Sequence, residues 1–385
     1  MSFTGNEITA NRTVIDSTDY DNLESGNITF SANDIHFNKT YIYAQENGGS
    51  LNITGNDVKL TNGAYINVNT TEKTGNDVTI KANNTIELSG VSDDGYVTEI
   101  YVSTHGNGDA GTLTMEAGNV KITDGAWISS STYGTGKGGN INIRTSNFTS
   151  AGEFDGLSGG LYSSVFADGH GGDINIEADN IELSGGAYIN SNTYGPGDAG
   201  DININAESIT LFGATTAGRA SSIVSGTSPK EEFTMTGGNG GNIFIDTSNL
   251  TLLDGGLVAS SAIADDGFIC GEAGKISINA DSIFASGVNP HGPNEDGYGS
   301  GIYARSFGAG ADDAGRIEID AGQVNLSEGG IISTESTHKG GGVIRLKASD
   351  QLHLHNGNIT TSVAQGEGQG GVQSLLCECC LQSKL

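Results

Sequence analysis

The sequence has few basic residues, few aromatic residues and a single tryptophan. Its 385 residues include 17 Lys and Arg against 46 Asp and Glu, which gives a formal net charge of −29. Nucleic-acid binding depends on clustered Lys and Arg that neutralise phosphates, so this charge excludes nucleic acid as a partner. Aromatic residues make up only 6% of the chain, so one bulky core is excluded as well.

Cysteines and long apolar runs are also scarce. Cys270 stands alone, and the other three cysteines form a Cys-x-Cys-Cys cluster at Cys377, Cys379 and Cys380. This spacing supports no disulfide framework, and the cluster lacks the partner group that a metal site would need. No apolar run is long enough to span a bilayer, and Met1–Ala10 lacks the charged start and apolar centre of a signal peptide. We expect no membrane span, and any export signal to lie outside this chain.

Glycine is abundant instead, with 61 residues, and it marks an internal repeat. Each copy opens on a glycine and continues with short apolar/polar alternations that Gly, Asn, Asp or Ser interrupt. The opening glycines are Gly26, Gly49, Gly75, Gly111, Gly139, Gly172, Gly200, Gly241, Gly274, Gly315 and Gly342. A twelfth copy begins at Gly371. Their spacing ranges from 23 residues (26 to 49) to 41 residues (200 to 241), as in repeat architectures whose loops vary in length.

Three alternations in each copy predict three short β-strands. The first carries pairs such as Ile141/Ile143, the second pairs such as Ile181/Leu183 and Leu352/Leu354, and the third begins Gly-Ala-Tyr-Ile or a relative. Residues two apart in a strand face the same way, so each apolar pair points inward. A unit this short buries its apolar face only by stacking on its neighbours. The sequence therefore predicts an all-β fold, a right-handed parallel β-helix with three strands per coil and about eleven to twelve coils.

The repeat also predicts the chain's division and one row of loops. We expect a partial coil at 1–25, the β-helix at 26–371 and an unrelated tail at 372–385. Alternate coils carry extra residues between the second and third strands: Val91–Tyr96, Ala151–Gly159, Ala214–Ala220 and Val288–Ser300. Insertions at one position of a solenoid project from one face, so these loops should lie in a row.

Three motifs resemble a known family. They are Gly-Asn-Ile-Asn-Ile at 139–143, Thr-Asp-Gly-Ala-Trp-Ile-Ser-Ser-Ser-Thr at 123–132, and Gly-Asp-Ile-Asn-Ile-Asn-Ala-Glu-Ser-Ile-Thr-Leu at 200–211. The chain resembles, over roughly 26–364, the repeat regions of filamentous-haemagglutinin-like exoproteins of two-partner secretion, of the cyanobacterial type. The resemblance implies a secreted or cell-surface β-helical adhesin that an outer-membrane β-barrel transporter exports. The chain lacks the signal peptide and amino-terminal secretion domain of that family.

One column of outward side chains is a candidate binding surface. Tyr65, Trp127 and Tyr188 occupy equivalent places on coils with short loops, as do Leu257 and Ile331. Aromatic faces stack on sugars while neighbouring Asn and Asp bind the hydroxyls, so Tyr65, Trp127 and Tyr188 are candidate glycan-binding residues. The alternative is that the long loops cover this column and make it part of the packing.

Acidic residues recur in the turns before the first strand. They are Asp109, Asp198, Asp312 and Asp313, with Asp93/Asp94 and Asp265/Asp266 elsewhere. Ca²⁺ prefers several oxygens from neighbouring turns, but the nonapeptide calcium signature is absent. We therefore expect no cofactor and solvated turn carboxylates, with Ca²⁺ as the alternative.

Two further groups suggest catalytic or metal chemistry only weakly. Gly169-His170-Gly171 and Asp265-Asp266 are similar to elements of β-helical polygalacturonases, but three coils separate them, whereas glycoside hydrolysis needs two carboxylates across one cleft. His353 and His355 share an outward strand face without an evident third ligand. Neither group predicts an enzyme.

These observations favour a non-enzymatic rod that displays loops for multivalent binding to a glycan or another cell surface. Two alternatives stay open because β-helices also host enzymes and scaffolds. One is a β-helical polysaccharide lyase or hydrolase, and the other is a mechanical spacer without a ligand.

Overall fold

The computed structural model describes residues 1–18, 26–46, 49–230, 235–264, 267–289, 291, 299–308, 310, 312–364 and 371–377. The regular elements in these ranges are strands. None of the described residues forms a helix of the length and apolarity that a membrane crossing requires.

The strands follow the sequence repeat. In chain order they are β1 (Ser2–Thr4), β2 (Glu7–Asn11), β3 (Val14–Asp16), β4 (Ile28–Ser31), β5 (Asp34–Asn38), β6 (Tyr41–Tyr43), β7 (Leu51–Thr61), β8 (Tyr65–Asn67), β9 (Val78–Ser89), β10 (Glu99–Tyr101), β11 (Leu113–Thr123), β12 (Trp127–Ser129), β13 (Ile141–Ala151), β14 (Glu153–Phe154), β15 (Leu157–Ser158), β16 (Gly160–Tyr162), β17 (Ile174–Ser184), β18 (Tyr188–Thr193), β19 (Ile202–Phe212), β20 (Ser222–Thr227), β21 (Ile243–Leu253), β22 (Leu257–Ile263), β23 (Lys275–Ser286), β24 (Gly301–Phe307), β25 (Arg316–Ser327), β26 (Ile331–Ser336), β27 (Val343–His355), β28 (Asn358–Val363) and β29 (Val372–Cys377).

Two parallel sheets run the length of the described chain. The first sheet has 15 strands, and its main path is β1-β4-β7-β9-β11-β13-β17-β19-β21-β23-β25-β27-β29, with β2 and β5 beside it. The second sheet has 12 strands, one from each coil, in the order β28-β26-β24-β22-β20-β18-β16-β12-β10-β8-β6-β3. Within these two sheets each strand pairs in parallel with its counterpart in the next coil, so the predicted parallel β-helix is confirmed; β14 and β15 form a separate antiparallel pair in a loop.

The first two alternations of each coil merge in most of the molecule. They are separate strands in the first two coils, as β1 and β2 and then β4 and β5. From β7 to β27 they form one strand of 11 to 13 residues. Between β7 and β9 the ladder continues through a register shift, since Gly55 pairs with Ala82 and Asp57 with Thr85. Three strands per coil are therefore distinct only near the amino end.

The apolar pairs line a single core, as predicted. In the first strand of each coil they are at most 3% exposed, from Leu51 and Ile53 through Ile344 and Leu346. The prediction was wrong for Leu352 and Leu354, because Leu352 is half-buried and Leu354 is 47% exposed. The reason is that β29 pairs with β27 only as far as Ala348, so no described strand stacks on the second half of β27.

The opening glycines stack on one another too closely for a side chain. A Cβ on Gly200 would lie 2.0 Å from the carbonyl oxygen of Gly172, and one on Gly172 would lie 2.0 Å from that of Gly139. Buried serines in or just after the third strand donate to carbonyl oxygens of the opening glycines: Ser163 Oγ donates to Gly172 O at 2.7 Å, and Ser191 Oγ donates to Gly200 O at 2.7 Å. These contacts explain why the repeat opens on glycine.

Outward amides of the first sheet form ladders between coils. Asn203 Nδ2 donates to Asn175 Oδ1 at 2.9 Å, and Asn175 Nδ2 donates to Asn142 Oδ1 at 2.9 Å. A second ladder joins Asn180 to Asn147 at 3.1 Å. Since each amide side chain both donates and accepts along the axis, these rows stabilise the stack of coils.

The long loops lie in a row on one side, as predicted for the loops that are described. Glu153 Oε2, in the loop at 151–159, accepts a hydrogen bond from Thr216 N in the loop at 214–220 at 2.8 Å. Asn289 Nδ2, in the next loop, donates to Gly218 O at 2.7 Å. Most of that last loop, at 290 and 292–298, lies outside the described residues.

The ends of the described chain continue the pattern. β1, β2 and β3 pair in parallel with β4, β5 and β6, so residues 2–16 form a coil of their own. β29 pairs with the start of β27 and leaves Leu375 and Leu376 about half exposed, at 47% and 53%. Cys377 ends β29, and Cys379 and Cys380 lie outside the described residues.

Gly200→Ala tests the stacking of the opening glycines. We expect it to lower the free energy of unfolding by about 1–3 kcal/mol, because the added methyl group clashes with a backbone carbonyl that cannot move independently. Gly26→Ala is the matched control, since a Cβ there meets no atom within 4 Å. Urea unfolding followed by circular dichroism measures both. Equal midpoints for the two variants would contradict the close approach.

Candidate functional site

Two rows of outward side chains run along the second sheet. The parallel register defines the first row, from β8 to β26, as Tyr65, Glu99, Trp127, Gly160, Tyr188, Ser222, Leu257, Gly301 and Ile331. The second row lies two residues later on the same strands and comprises Asn67, Tyr101, Ser129, Tyr162, Asn190, Val224, Ala259, Tyr303 and Ser333.

Large side chains alternate between the two rows from one coil to the next. Coils with short loops place a large residue in the first row and a small one in the second, as with Trp127 and Ser129. Coils with long loops mostly do the reverse, as with Gly160 and Tyr162. Gly160 has no room for a side chain, because a Cβ there would lie 2.0 Å from Tyr188 O. The pairing of coils in the sequence repeat therefore produces a diagonal packing of large side chains on the surface.

Edge-to-face ring contacts follow this diagonal. The Trp127 ring centroid lies 6.4 Å from that of Tyr101 and 5.3 Å from that of Tyr162, and the Tyr162 and Tyr188 centroids are 6.1 Å apart. Interplanar angles of 69° to 86° are typical of favourable aromatic pairs. We call Tyr101, Trp127, Tyr162 and Tyr188 the aromatic strip.

The sequence candidates Tyr65, Trp127 and Tyr188 are all half-buried in the first row. The strip brings Trp127 and Tyr188 together through Tyr162, whereas Tyr65 contacts Tyr43 on the preceding coil at 5.9 Å. Leu257 differs, because it is 2% exposed and belongs to a separate apolar cluster with Tyr303, Ala220 and Ala259. The same row thus serves packing in the later coils and presents partly exposed rings in the earlier ones.

Glu99 occupies the first row between two of these rings. It pairs with Tyr65 on β8 and with Trp127 on β12. Burial raises the pKa of the Glu99 carboxyl group, and the nearby indole of Trp127 offsets part of that rise. The Trp127 Nε1 atom is buried without a hydrogen bond of ordinary geometry. The pKa of Tyr65 rises to about 12, first through burial and then through the charge of Glu99.

A second set of rings lies six residues along the chain from the first row. His105, Tyr133, Phe166 and Tyr194 stack face to face, with successive centroids 4.7, 4.5 and 5.2 Å apart. Lys230 Nζ lies 4.7 Å from the Tyr194 centroid. The Tyr101 and Tyr133 hydroxyl groups are 2.7 Å apart, so this ring stack is joined to the aromatic strip. Between them along the chain lie the buried Ser103, Ser131 and Ser164.

Sequence reasoning missed the residues of the second row and the ring stack. It selected the first row because Tyr65, Trp127 and Tyr188 follow the same Gly-Ala or Gly-Gly-Ala motif. Tyr101, Tyr162 and Tyr303 follow long loops, so that motif does not align them. Their own spacing could have aligned them. Tyr101, Tyr162 and Tyr303 each stand two residues before a polar residue, namely Ser103, Ser164 and Arg305.

The turn carboxylates have a structural partner in the next coil. Asp109 Oδ1 accepts Lys137 N at 2.8 Å, Asp198 Oδ1 accepts Asn239 N at 2.7 Å, and Asp313 Oδ1 accepts Gly340 N at 2.7 Å. Asp93 and Asp94 instead form ion pairs with Arg12 and Lys39. Asp265 and Asp266 lie outside the described residues. These contacts give the turn aspartates the role of joining coils.

The histidines singled out by the sequence, His170, His353 and His355, are exposed. His170 Nδ1 is 3.9 Å from Asp198 Oδ2 in an exposed turn. The rings of His353 and His355 are 6.5 Å apart, and His355 Nε2 lies 3.4 Å from Glu328 Oε1. Within the described ranges, no group of three or more His, Cys, Asp or Glu residues is placed to hold a metal ion.

Glu99→Gln tests the burial of this carboxylate. A raised pKa in the folded state stabilises the protein only at low pH, and that stability is lost as pH rises through the folded pKa. A glutamine stays neutral at every pH, so the variant keeps the stability that the wild type loses when Glu99 ionises. We therefore expect Glu99→Gln to melt higher than the wild type at pH 7 and to lose this advantage near pH 4. Differential scanning calorimetry at both pH values measures the difference. The control Glu177→Gln, which removes an exposed ion pair with Arg144, should show no gain at pH 7.

Comparisons with protein-family models, with curated proteins and with solved structures found no match to this chain.

Proposed function

We propose that this chain is a β-helical rod of the adhesin type whose aromatic strip binds glycans. The observation that carries the proposal is the contiguous row of half-buried rings from Tyr101 through Trp127 and Tyr162 to Tyr188. Rings that are partly exposed on a rigid sheet stack on the apolar faces of sugars at little cost in conformational entropy.

The repeat spacing supports an extended ligand. Trp127 and Tyr188 occupy the same row two coils apart, which is roughly 9.6 Å at the usual strand separation. A linear polysaccharide lying along the rod would therefore meet equivalent rings at a regular interval. Weak contacts repeated at that interval add up through effective concentration, so binding should strengthen with the length of the sugar chain.

Binding rather than catalysis is favoured by the surroundings of the carboxylates. Glu99 is held among aromatic side chains, and the turn aspartates Asp109, Asp198 and Asp313 accept backbone N–H groups of the next coil. The turn aspartates are therefore engaged in joining the coils. The polysaccharide lyase or hydrolase and the ligand-free spacer are the outcomes that the experiment below separates from the adhesin.

Trp127→Ala tests glycan binding. On an array of neutral and acidic polysaccharides we expect the wild type to bind at least one class, and Trp127→Ala and Tyr188→Ala each to weaken it by up to about tenfold, since one stacked ring contributes about 0.5–1.5 kcal/mol. Phe244→Ala is the matched control, because Phe244 is an outward ring on the first sheet and is 37% exposed.

Three results would redirect the proposal. Absence of binding by the wild type would favour the spacer, and release of soluble sugar fragments would favour the enzyme. Equal loss of binding by Phe244→Ala would place the glycan elsewhere on the rod. Melting temperatures of all variants identify any that lose binding by unfolding.

We propose further that the protein is secreted or held at the outer cell surface, with an outer-membrane β-barrel transporter as its partner. The support is the resemblance of its repeats to those of two-partner secretion exoproteins. In the host, antibody labelling of intact cells should detect the protein, and deletion of the transporter gene should abolish that labelling while leaving the intracellular protein detectable. Labelling that survives the deletion would contradict this route.

A further inference from the structure

Glu99 carries a negative charge within a set of aromatic side chains. The in-register strands place Tyr65 on one side of it and Trp127 on the other. Tyr101, two residues along β10, projects from the same face of the sheet and contacts the Trp127 ring at a centroid distance of 6.4 Å. The charge of Glu99 raises the pKa values of Tyr65, Tyr101 and Tyr133, after the larger effect of burial in each case. All three phenols therefore lie within electrostatic reach of this carboxylate.

Several other outward glutamates of the solenoid have a basic partner on a neighbouring coil. Glu116 Oε2 lies 3.0 Å from Lys81 Nζ, Glu177 Oε2 lies 2.7 Å from Arg144 Nη2, and Glu318 contacts Lys275 at 2.5 Å. Glu99 differs, because no Lys, Arg or His of the described part of the chain forms an ion pair with it. A half-buried carboxylate without a cation is costly, so a cationic ligand would be stabilised there.

We propose that Tyr65, Glu99, Tyr101 and Trp127 form a binding site for a trimethylammonium group, such as the head of choline. The faces of Trp and Tyr rings attract cations, and they attract a quaternary ammonium best because it is weakly hydrated and has an apolar surface. A single carboxylate among rings supplies the opposite charge. A hard metal cation is a poor fit, since it requires several oxygen ligands.

The site does not depend on glycan binding. The glycan proposal needs the rings of Trp127 and Tyr188, which lie two coils apart, whereas the cation site needs Glu99 and Tyr65 on the other side of Trp127. Glu99→Gln should therefore remove cation binding and leave a neutral glycan bound, and Tyr188→Ala should have the opposite effect. Failure of one proposal is thus distinguishable from failure of the other.

Trp127 makes the experiment direct because it is the only tryptophan in the chain. Its fluorescence is followed while the whole protein is titrated with tetramethylammonium chloride at pH 7, with sodium chloride at equal ionic strength as the salt control. Neopentyl alcohol is the neutral compound of similar shape. We expect a saturable change with tetramethylammonium alone, and at least tenfold weaker binding by Glu99→Gln and by Tyr65→Leu.

Glu177→Gln is the matched charge control, because it removes an outward glutamate of the first sheet, and it should bind like the wild type. An equal response to sodium chloride, equal binding of the neutral alcohol, or unchanged binding by Glu99→Gln would each overturn the proposal. Saturation-transfer NMR on the methyl protons of the ligand gives a second measurement that does not use Trp127. Melting curves establish that Tyr65→Leu remains folded, and the conclusion rests on Glu99→Gln if it does not.

The trimethylammonium group could be free or displayed on a surface. Two further titrations, with choline and with phosphatidylcholine vesicles, separate these sources. Competition by choline with no effect of vesicles indicates a soluble ligand, and cosedimentation of the protein with vesicles that choline reverses indicates a displayed one. Failure of both choline and tetramethylammonium to bind would overturn the site.

Discussion

The in-register parallel ladder between neighbouring coils is the constraint on which the rest of the structure depends. Because Gly172, Gly200 and Gly241 stack carbonyl against Cα, the coils cannot separate or slip without breaking both the ladder and the glycine contacts. A one-residue slip would also turn every inward isoleucine toward water. The sequence therefore repeats its glycines and its apolar pairs more faithfully than any other feature.

The same register determines what the surface can present. Each outward side chain lies directly beside its equivalent in the next coil, so neighbours must be complementary. Asn142, Asn175 and Asn203 are complementary because their identical amide side chains form hydrogen bonds with one another. The rings of the aromatic strip do not stack face to face in this way but meet edge to face. Each ring instead lies in the space beside a small residue of the next coil. In the first row Trp127 alternates with Gly160, and in the second row Tyr101 and Tyr162 alternate with Ser129.

The difference between features that repeat in every coil and features that depend on neighbouring coils explains what could be predicted from the sequence. The stacking of coils, the inward apolar pairs and the row of loops could be predicted, because the same residues recur at the same position in successive copies of the repeat. The prediction failed at Leu352 and Leu354 because burial depends on a covering strand, and periodicity within one coil does not report whether a strand of the next coil covers it. The positions of Tyr101 and Tyr162 were missed because their long loops hide the alignment. Glu99 was missed because its significance comes from Tyr65 and Trp127 on other coils, 34 and 28 residues away along the chain.

The two halves of the first row are packed differently. In the later coils Leu257 of this row is nearly fully buried and joins Tyr303 of the second row in an apolar cluster outside the main core. In the earlier coils the equivalent positions hold Glu99 and Trp127, and the buried carboxylate makes this part of the surface less stable than an aliphatic one would be. Replacing Glu99 by an apolar residue would extend the packing seen at Leu257. A charge kept where packing would be more stable calls for a compensating interaction, and this contrast within a single row is the strongest reason to look for a ligand there.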